Sequence, residues 1–498
     1  MSYEVVVVGA GVGGLTVAAL LAARGLSVCL LEKEAVPGGC IAGLQKMGYE
    51  FETTASLYAG WQPGGIHERV FAELPTKAPE ASLLSTSYTV RLPDNAEVPV
   101  TSDPSEFERH LRAAFPECAS EAVRFYRELT PVAEALLRAA ERVPELATAS
   151  RLRRLKAIAA EPRLAPRIMS AMEHTTARYL DQTSPRFRRF IDAQLQMFAQ
   201  RASDACAYLY AAVALTIAQR NLYELRGGGA ALASALLSAI ERSGGLVRLN
   251  TPVLRLSYDE GGRARGVDLL NGERVEATRA IVSNLSVWDT YGKLVGLNRT
   301  PDIVRQRLKA LKGWGAYLLF LGLDEEAATR LPATHILSLS DWQEGQAYNP
   351  EDAQLMFSAA PARDRRAPAG KRAVTVSAFT EASQWFAFHE DEAEHESQDQ
   401  LWLEKSWERL HAALPELGSG IEVIETATPR TFYENTRRKL GMVGGVGQSL
   451  EVFGPRSLNH RTFLPNLFMV GDTTFPGQGV AAVTHSALVV ANELTGRR

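Results

Sequence analysis

The chain has 498 residues, 46 % of them hydrophobic, which is enough for large cores and for roughly two to four domains or two interwoven ones. A net charge of −3 gives no global case for nucleic acid as a partner. The four cysteines form no CxxC pair, so neither a disulfide framework nor a zinc ribbon is indicated, and no metal site is expected.

The opening run, Val5 to Ala23, carries no charge and is long enough to span a bilayer. Its interior argues against a span. Four valines suit a buried parallel strand, and Gly9, Gly11, Gly13 and Gly14 break a continuous helix. Only Met1-Ser2-Tyr3-Glu4 precedes it, without the basic flank of a secretion signal, so a cytoplasmic setting is expected. The run reads as strand, tight turn and a helix over Leu15–Arg24. Gly9, Gly11 and Gly14 fit G-x-G-x-x-G: a tight turn, close approach of backbone to a pyrophosphate, and close helix–strand packing. Leu26 to Leu31 is the second strand. Glu32 ends it, 18 residues after Gly14, where a carboxylate can accept both ribose hydroxyls and disfavours a 2′-phosphate. Gly38-Gly39 again permit close backbone approach. Cys40 follows them and reads as a small buried residue, with a cofactor-linked or catalytic thiol as the alternative.

The next long region is helical by periodicity, in "FERHLRAAF", "AVRFYRELTPVAEALLRAAERV" and "FRRFIDAQLQMFAQ". Within it Arg151, Arg153, Arg154, Lys156, Arg163 and Arg167 interleave with Leu152, Leu155, Ile158, Leu164, Ile168 and Met169, a pattern suited to resting on an anionic membrane. Gly227-Gly228-Gly229 then precedes an amphipathic helix, Ala230–Arg242, followed by two strands, a hairpin through Asn271-Gly272 and a return strand into Ser283-Asn284. Further on, "WGAYLLFLGL", "ILSLSDW" and "AVTVSAFT" read as strands. "ARDRRAPAGKR" (362–372) reads as an exposed loop. "HEDEAEHE", with His389 and His395, reads as a solvated segment rather than a metal site. His174 and His485 read as structural histidines. At the far end Leu467–Val470 is a short strand, Gly471-Asp472 ends it, and Gly477-Gln478-Gly479 leads into a helix over Val480–Leu494. One complete G-x-G-x-x-G and a second glycine–helix element at the other end favour one long cofactor, FAD, touching both.

"GAGVGGLTVAALLAARG", "EKEAVPGGC", "TPRTFYENTRRKLGMVGG" and "VGDTTFPGQGV" together resemble the FAD-dependent phytoene desaturase and carotenoid isomerase family, most nearly its carotenoid 3,4-desaturases. The likeness runs nearly end to end and includes "YAGWQPGGIHERVFAEL" and "LYELRGGGAALASAL". It implies an α/β fold, a Rossmann-like FAD-binding domain with an inserted α+β substrate domain. The FAD-binding pieces are expected at 1–75, 222–295 and 455–498. The substrate domain is expected at 76–221, mostly helical with membrane contact, and at 296–454. The positions expected to hold FAD are Gly9, Gly11, Val12, Gly13, Gly14, Glu32, Lys33, Gly38, Gly39, Val253, Gly471, Asp472, Gly479 and Val480. Glu32 would take the adenosine ribose, Val253 the adenine through its backbone, and Asp472 the ribitol or phosphate end. Thr54, Gly228 and Gly229 would lie near the flavin and the substrate. Family members often read F-D-x-G where this chain reads Phe51-Glu52-Thr53-Thr54. Arg437, Arg438 and Lys439 are placed near the substrate path, with surface solvation as the alternative.

The implied activity is desaturation of a lipophilic carotenoid: hydride passes to FAD, a proton leaves the neighbouring carbon, and conjugation lengthens. The implied setting is cytoplasmic, peripherally on a membrane. No catalytic side chain is assigned, and a quinone or oxygen would reoxidise the flavin. The alternatives are cis–trans isomerisation or saturation by the same cofactor and, from another class, a non-catalytic prenyl-binding escort protein.

Overall fold

The uncharged opening run divides where its glycines fall. In the computed structural model, which describes residues 2–343, 345–387 and 391–497, Ser2–Val8 is strand β1, Val12–Ala23 is helix α1 and Val28–Leu31 is strand β2. Further along, past short strands and a short helix, lie strands β3 (Thr86–Arg91) and β4 (Glu97–Thr101). Helices α2 (Ala119–Arg142), α3 (Arg151–Ala159), α4 (Ala165–Ala171), α5 (Pro185–Ala199) and α6 (Gly228–Arg242) follow. Then come β5 (Leu246–Arg248), β6 (Val253–Tyr258), β7 (Ala264–Leu269), β8 (Arg274–Ser283) and β9 (Gly315–Asp324). Strands β10 (His335–Leu339), β11 (Gln354–Ala359), β12 (Lys371–Thr380), β13 (Ile421–Ala427) and β14 (Leu467–Met469) precede the last helix, α7 (Val480–Thr495). Helix α1 starts at Val12, three residues before the expected Leu15. Gly13 and Gly14 are part of its first turn, where a side chain at Gly14 would meet the Gly9 carbonyl just past β1.

The first sheet runs β6–β7–β8–β1–β2–β5, with β14 on the other side of β8. Strands β1, β2, β5, β8 and β14 are parallel, with Val5 to Val8 opposite Val28 to Leu31 on one side and Ala280 to Ser283 on the other. The valine run is continuous because both faces are covered. Val5 and Val7 pack with Leu15, Ala18, Leu232 and Leu488 under the helices, while Val6 and Val8 pack with Leu256, Val267 and Trp288. Burying one such side chain contributes about 1.5–3 kcal/mol, so a polar residue at any of these four positions would destabilise the sheet.

The second sheet runs β13–β9–β12–β11–β10–β3–β4, antiparallel except where β10 meets β3. It takes β3 and β4 from the 76–221 segment and its other strands from the 296–454 segment, so these two segments share one sheet. Helices α2 and α5 bury Phe125, Leu129, Phe187 and Phe190 in one core with Tyr88 and Val90 of β3 and Leu337 of β10. Trp385 and Trp402 pack with Leu319, Leu321 and Val376 in another. Strand β10 ends at Leu339, so the "SDW" of the expected 336–342 strand is loop.

Candidate functional site

At the carboxyl ends of β1 and β2 the chain makes the glycine turn. Gly9 has φ +96°, a conformation that costs glycine little. A methyl group on Gly14 would lie 2.0 Å from the Gly9 carbonyl oxygen, and one on Gly39 would lie 3.3 Å from the Gly11 Cα. Gly38 donates its N–H to the Ala10 carbonyl at 2.8 Å, which lays the second glycine pair along the first turn. Glu32 closes this corner: one carboxylate oxygen accepts the Ala10 N–H at 2.6 Å and the other the Glu34 N–H at 3.0 Å. Thr251 donates to the Glu32 carbonyl at 2.7 Å, and Val253 begins β6 two residues later. Lys33 turns away, with its ammonium on the Asn435 carbonyl at 2.8 Å.

The C-terminal element meets the same turn. Its strand end, Gly471-Asp472, and Gly479, at φ +96° and the N-cap of α7, stand beside α1. A methyl on Gly13 would lie 3.2 Å from Val483 and 3.3 Å from the Gly471 nitrogen. Between them lies Asn284, whose amide donates to the Val470 carbonyl at 3.2 Å and whose oxygen would be 2.6 Å from a Gly11 methyl. Asn284 ties both glycine turns together; its place at the end of the return strand was the available signal. Neither α1 nor α7 has a side-chain cap or an acidic residue in its first turn, which leaves N–H groups and positive dipole ends free for an anion. Two such helix ends, close-approach glycines and a carboxylate at the strand end fit FAD: its diphosphate at the glycine turns and its ribose at Glu32.

Arg438 reaches into this region. It is 14 % exposed, and it pairs with Asp472 at 3.0 Å while donating to the carbonyls of Met442 at 2.8 Å and Gly444 at 2.6 Å. Burial by itself would lower its pKa, but Asp472 outweighs that and holds it above the usual guanidinium range. Arg437 and Lys439, by contrast, are exposed and lie over the rings of Tyr433 and Trp288. The Cys40 thiol, beside Arg438 and Asp472, is pushed up by burial, so it is a thiol and not a thiolate at neutral pH.

The third wall is the Gly227–Gly229 turn. A methyl on Gly229 would lie 2.7 Å from Ile41, just past the second glycine pair, and the Gly229 N–H donates to Glu52 at 2.7 Å. Glu52 also accepts the Tyr58 hydroxyl and pairs with Arg366 at 3.3 Å; Arg366 in turn pairs with Asp364 at 2.7 Å, and Asp364 takes the Gly227 N–H at 2.9 Å. Gly228, at φ +61°, would clash with Glu52 if it carried a side chain. The 362–372 segment is therefore only partly an exposed loop. Arg366 is buried because the Glu52 and Asp364 carboxylates and the Leu225 carbonyl face it. Thr54 sits in the bend after Glu52, where its hydroxyl meets the Ser56 N–H at 3.4 Å. Thr375 of β12 donates to the Glu52 carbonyl at 2.7 Å, which joins this wall to the second sheet.

The remaining candidates lie elsewhere. His485 is half-buried, with Nε2 2.8 Å from the Pro144 carbonyl, and His174 meets the Tyr179 hydroxyl at 2.9 Å. His395 packs on Trp385, and His389 lies outside the described residues. No group of metal-binding side chains is found among the described residues. On α3, Leu152 is 63 % exposed, and Met169 of α4 is 46 % exposed. Nearby Arg153 pairs with Glu145, and Arg167 with Glu128 at 2.7 Å, while Arg151, Lys156 and Arg163 are exposed. Among the described residues no helix is long and apolar enough to cross a membrane.

Comparison with known proteins gives a consistent picture. Residues 12–495 match the family described as flavin containing amine oxidoreductase. The chain is 25 % identical to a chloroplastic prolycopene isomerase of Daucus carota, covering 99 % of this chain and 80 % of that protein. It is 26 % identical to a zeta-carotene-forming phytoene desaturase of Myxococcus xanthus, covering 99 % and 93 %. Among solved structures, cyclohexylamine oxidase from Brevibacterium oxydans superposes with a TM-score of 0.57 at 16 % identity, covering 99 % of each chain.

Proposed function

Because this chain belongs to the flavin containing amine oxidoreductase family, we propose that its FAD-dependent chemistry acts on a carotenoid, removing hydride from a polyene to form a new conjugated double bond. The observation that carries the reading is the full-length likeness to a prolycopene isomerase and a phytoene desaturase on a chain whose glycine turns, Glu32 and two uncapped helix ends converge on one cradle. Bound FAD supplies the hydride acceptor. In this reading 1–75, 222–295 and 455–498 hold the cofactor and the intervening segments form the substrate side.

The chain's own residues bind, orient and neutralise. Gly9, Gly11, Val12, Gly13 and Gly14 present α1's first turn to the diphosphate; Gly38 and Gly39 line it; Glu32 orients the ribose; Val253 flanks the adenine; Gly479 and Val480 present α7. Lys33 serves by holding the 434–435 segment, through the Asn435 carbonyl. Thr54, Gly228 and Gly229 shape the wall nearest the reacting carbon. We assign no general base: positive charge developing on a polyene spreads along its conjugation, and the proton from the neighbouring carbon passes to water. A protonated Cys40 is a packing residue here, not a nucleophile.

Isomerisation is the second reading, favoured by the prolycopene isomerase relative. The escort alternative is not favoured, because the relatives are a prolycopene isomerase and a phytoene desaturase by name and the cradle is intact. We further place the protein in the cytoplasm, docked on an anionic membrane through α3 and α4, where a lipophilic polyene resides and a quinone is at hand. Anaerobic mixing of FAD-loaded protein with a panel of carotenes tests the reaction: bleaching of the flavin with product lighter by a pair of hydrogens is expected. Product of unchanged mass would replace desaturation by isomerisation, and heavier product formed when the flavin is reduced with dithionite beforehand would indicate saturation.

A further inference from the structure

Three segments far apart in sequence meet at one guanidinium. Arg438 donates to the Asp472 carboxylate from two nitrogens, at 3.2 and 3.3 Å to one oxygen and 3.0 Å to the other. Its Nε and a second Nη2 contact hold the carbonyls of Met442 and Gly444, so its position is set by its own loop. That loop lies against the strand end: a methyl on Gly445 would be 2.2 Å from the Asp472 carbonyl oxygen. Cys40, just after the second glycine pair, is near enough to both charges to interact with them. The pair therefore stands between the two glycine elements of the cradle. Its side chains are only 14 % and 18 % exposed, so water screens it weakly.

A carboxylate in such a place opposes the arrival of further negative charge. An adjoining cation offsets that opposition, and removing only one partner leaves the other uncompensated. Reduction of a bound flavin delivers negative charge into this cradle. We propose that Arg438 is a positioning residue that fixes and neutralises Asp472, and thereby keeps the bound flavin easier to reduce than Asp472 unopposed would allow.

The inference rests on FAD binding at this cradle and is independent of the polyene. Its test uses FAD-saturated protein and midpoint potentials set by equilibration with redox dyes, with no polyene present. Arg438→Met is expected to weaken binding of reduced FAD relative to oxidised FAD by about tenfold or more, a negative shift of about 30 mV for each tenfold in a two-electron couple. Arg438→Lys, which keeps the charge, is expected to recover most of that shift. Asp472→Asn, which leaves the cation unopposed, is expected to move the potential the other way, and it carries the test if Arg438→Met does not fold. A wild-type potential in Arg438→Met, an equal negative shift in Arg438→Lys, or a negative or absent shift in Asp472→Asn would overturn the proposal. Protein that takes up no FAD at all would instead strike the functional reading beneath it.

Discussion

Gly14 has no space for one more carbon. A methyl there would meet the Gly9 backbone oxygen at 2.0 Å, and neither atom belongs to a flexible side chain. Gly14→Ala is expected to cost about 1–3 kcal/mol through overpacking and to release FAD, seen as a lower melting temperature and colourless protein. Glu32 acts through charge. Its carboxylate is already oriented by two backbone N–H groups, so Glu32→Gln loses charge-assisted bonds without losing shape. FAD affinity measured by flavin fluorescence should fall roughly ten- to a hundredfold, in line with bonds to a charged group. Cys40 separates the two readings of a thiol beside a flavin. With its thiol held protonated by burial, Cys40→Ser is expected to keep FAD affinity and turnover within about twofold. A collapse of turnover with FAD still bound would restore a chemical role.

Among the elements, α3 and α4 are where sequence pattern and structure leave an unpartnered face. Leu152 and Leu155 are exposed on α3, with Arg151 and Lys156 exposed on the same helix, while Ala157 faces inward. Several cations of the run are occupied: Arg153 and Arg167 by carboxylates, and Arg154 by the carbonyls of Ala147 and Ala149. If the proposed docking is right, the exposed leucines supply apolar contact and the remaining cations about 1 kcal/mol each at an anionic surface. The double substitution Leu152→Glu and Leu155→Glu should then reduce sedimentation with phosphatidylglycerol vesicles by about tenfold or more, with FAD content unchanged. Equal sedimentation of the variant would remove this face from the docking proposal.

Across the whole molecule, three buried imidazoles link stability to pH. Burial pushes His67 and His335 down to about 3 and His460 down to about 4. His460 lies beneath the cradle, with Nδ1 3.3 Å from the Met469 carbonyl and 3.4 Å from the Ser486 hydroxyl, which in turn accepts the Gly471 N–H. A lowered folded pKa means that the unfolded chain takes up the proton first. The stabilisation is therefore complete above about pH 6.5 and is lost as pH falls from there towards about 4 for His460 and about 3 for His67 and His335, at up to about 1.4 kcal/mol per imidazole per pH unit. The melting temperature should drop steadily from about pH 7 to about pH 5, and His460→Gln should flatten part of that slope. A melting temperature independent of pH across this window would show that these imidazoles are not held neutral.

The amino-acid sequence by itself determined the parts whose constraints are local. Four valines followed by G-x-G-x-x-G leave one economical solution, a buried strand, a glycine turn and a helix packed on it, because backbone sterics and side-chain alternation act over a few residues. Glu32 was legible for the same reason, since the spacing within one strand–helix–strand unit sets its place. The second glycine element at residues 471–479 was legible too, but not its neighbours. Arg438 reads as one of three adjacent cations, and nothing in "TRRKLG" tells which of them turns inward. Arg366 reads as part of a charged loop, and the sharing of one sheet by strands from 76–221 and 296–454 has no sequence signature. Tertiary structure decided these because the burial of a charge depends on which distant carboxylate meets it. Arg438 goes inward because Asp472 is there to pair with it, and Arg366 because Glu52 and Asp364 are.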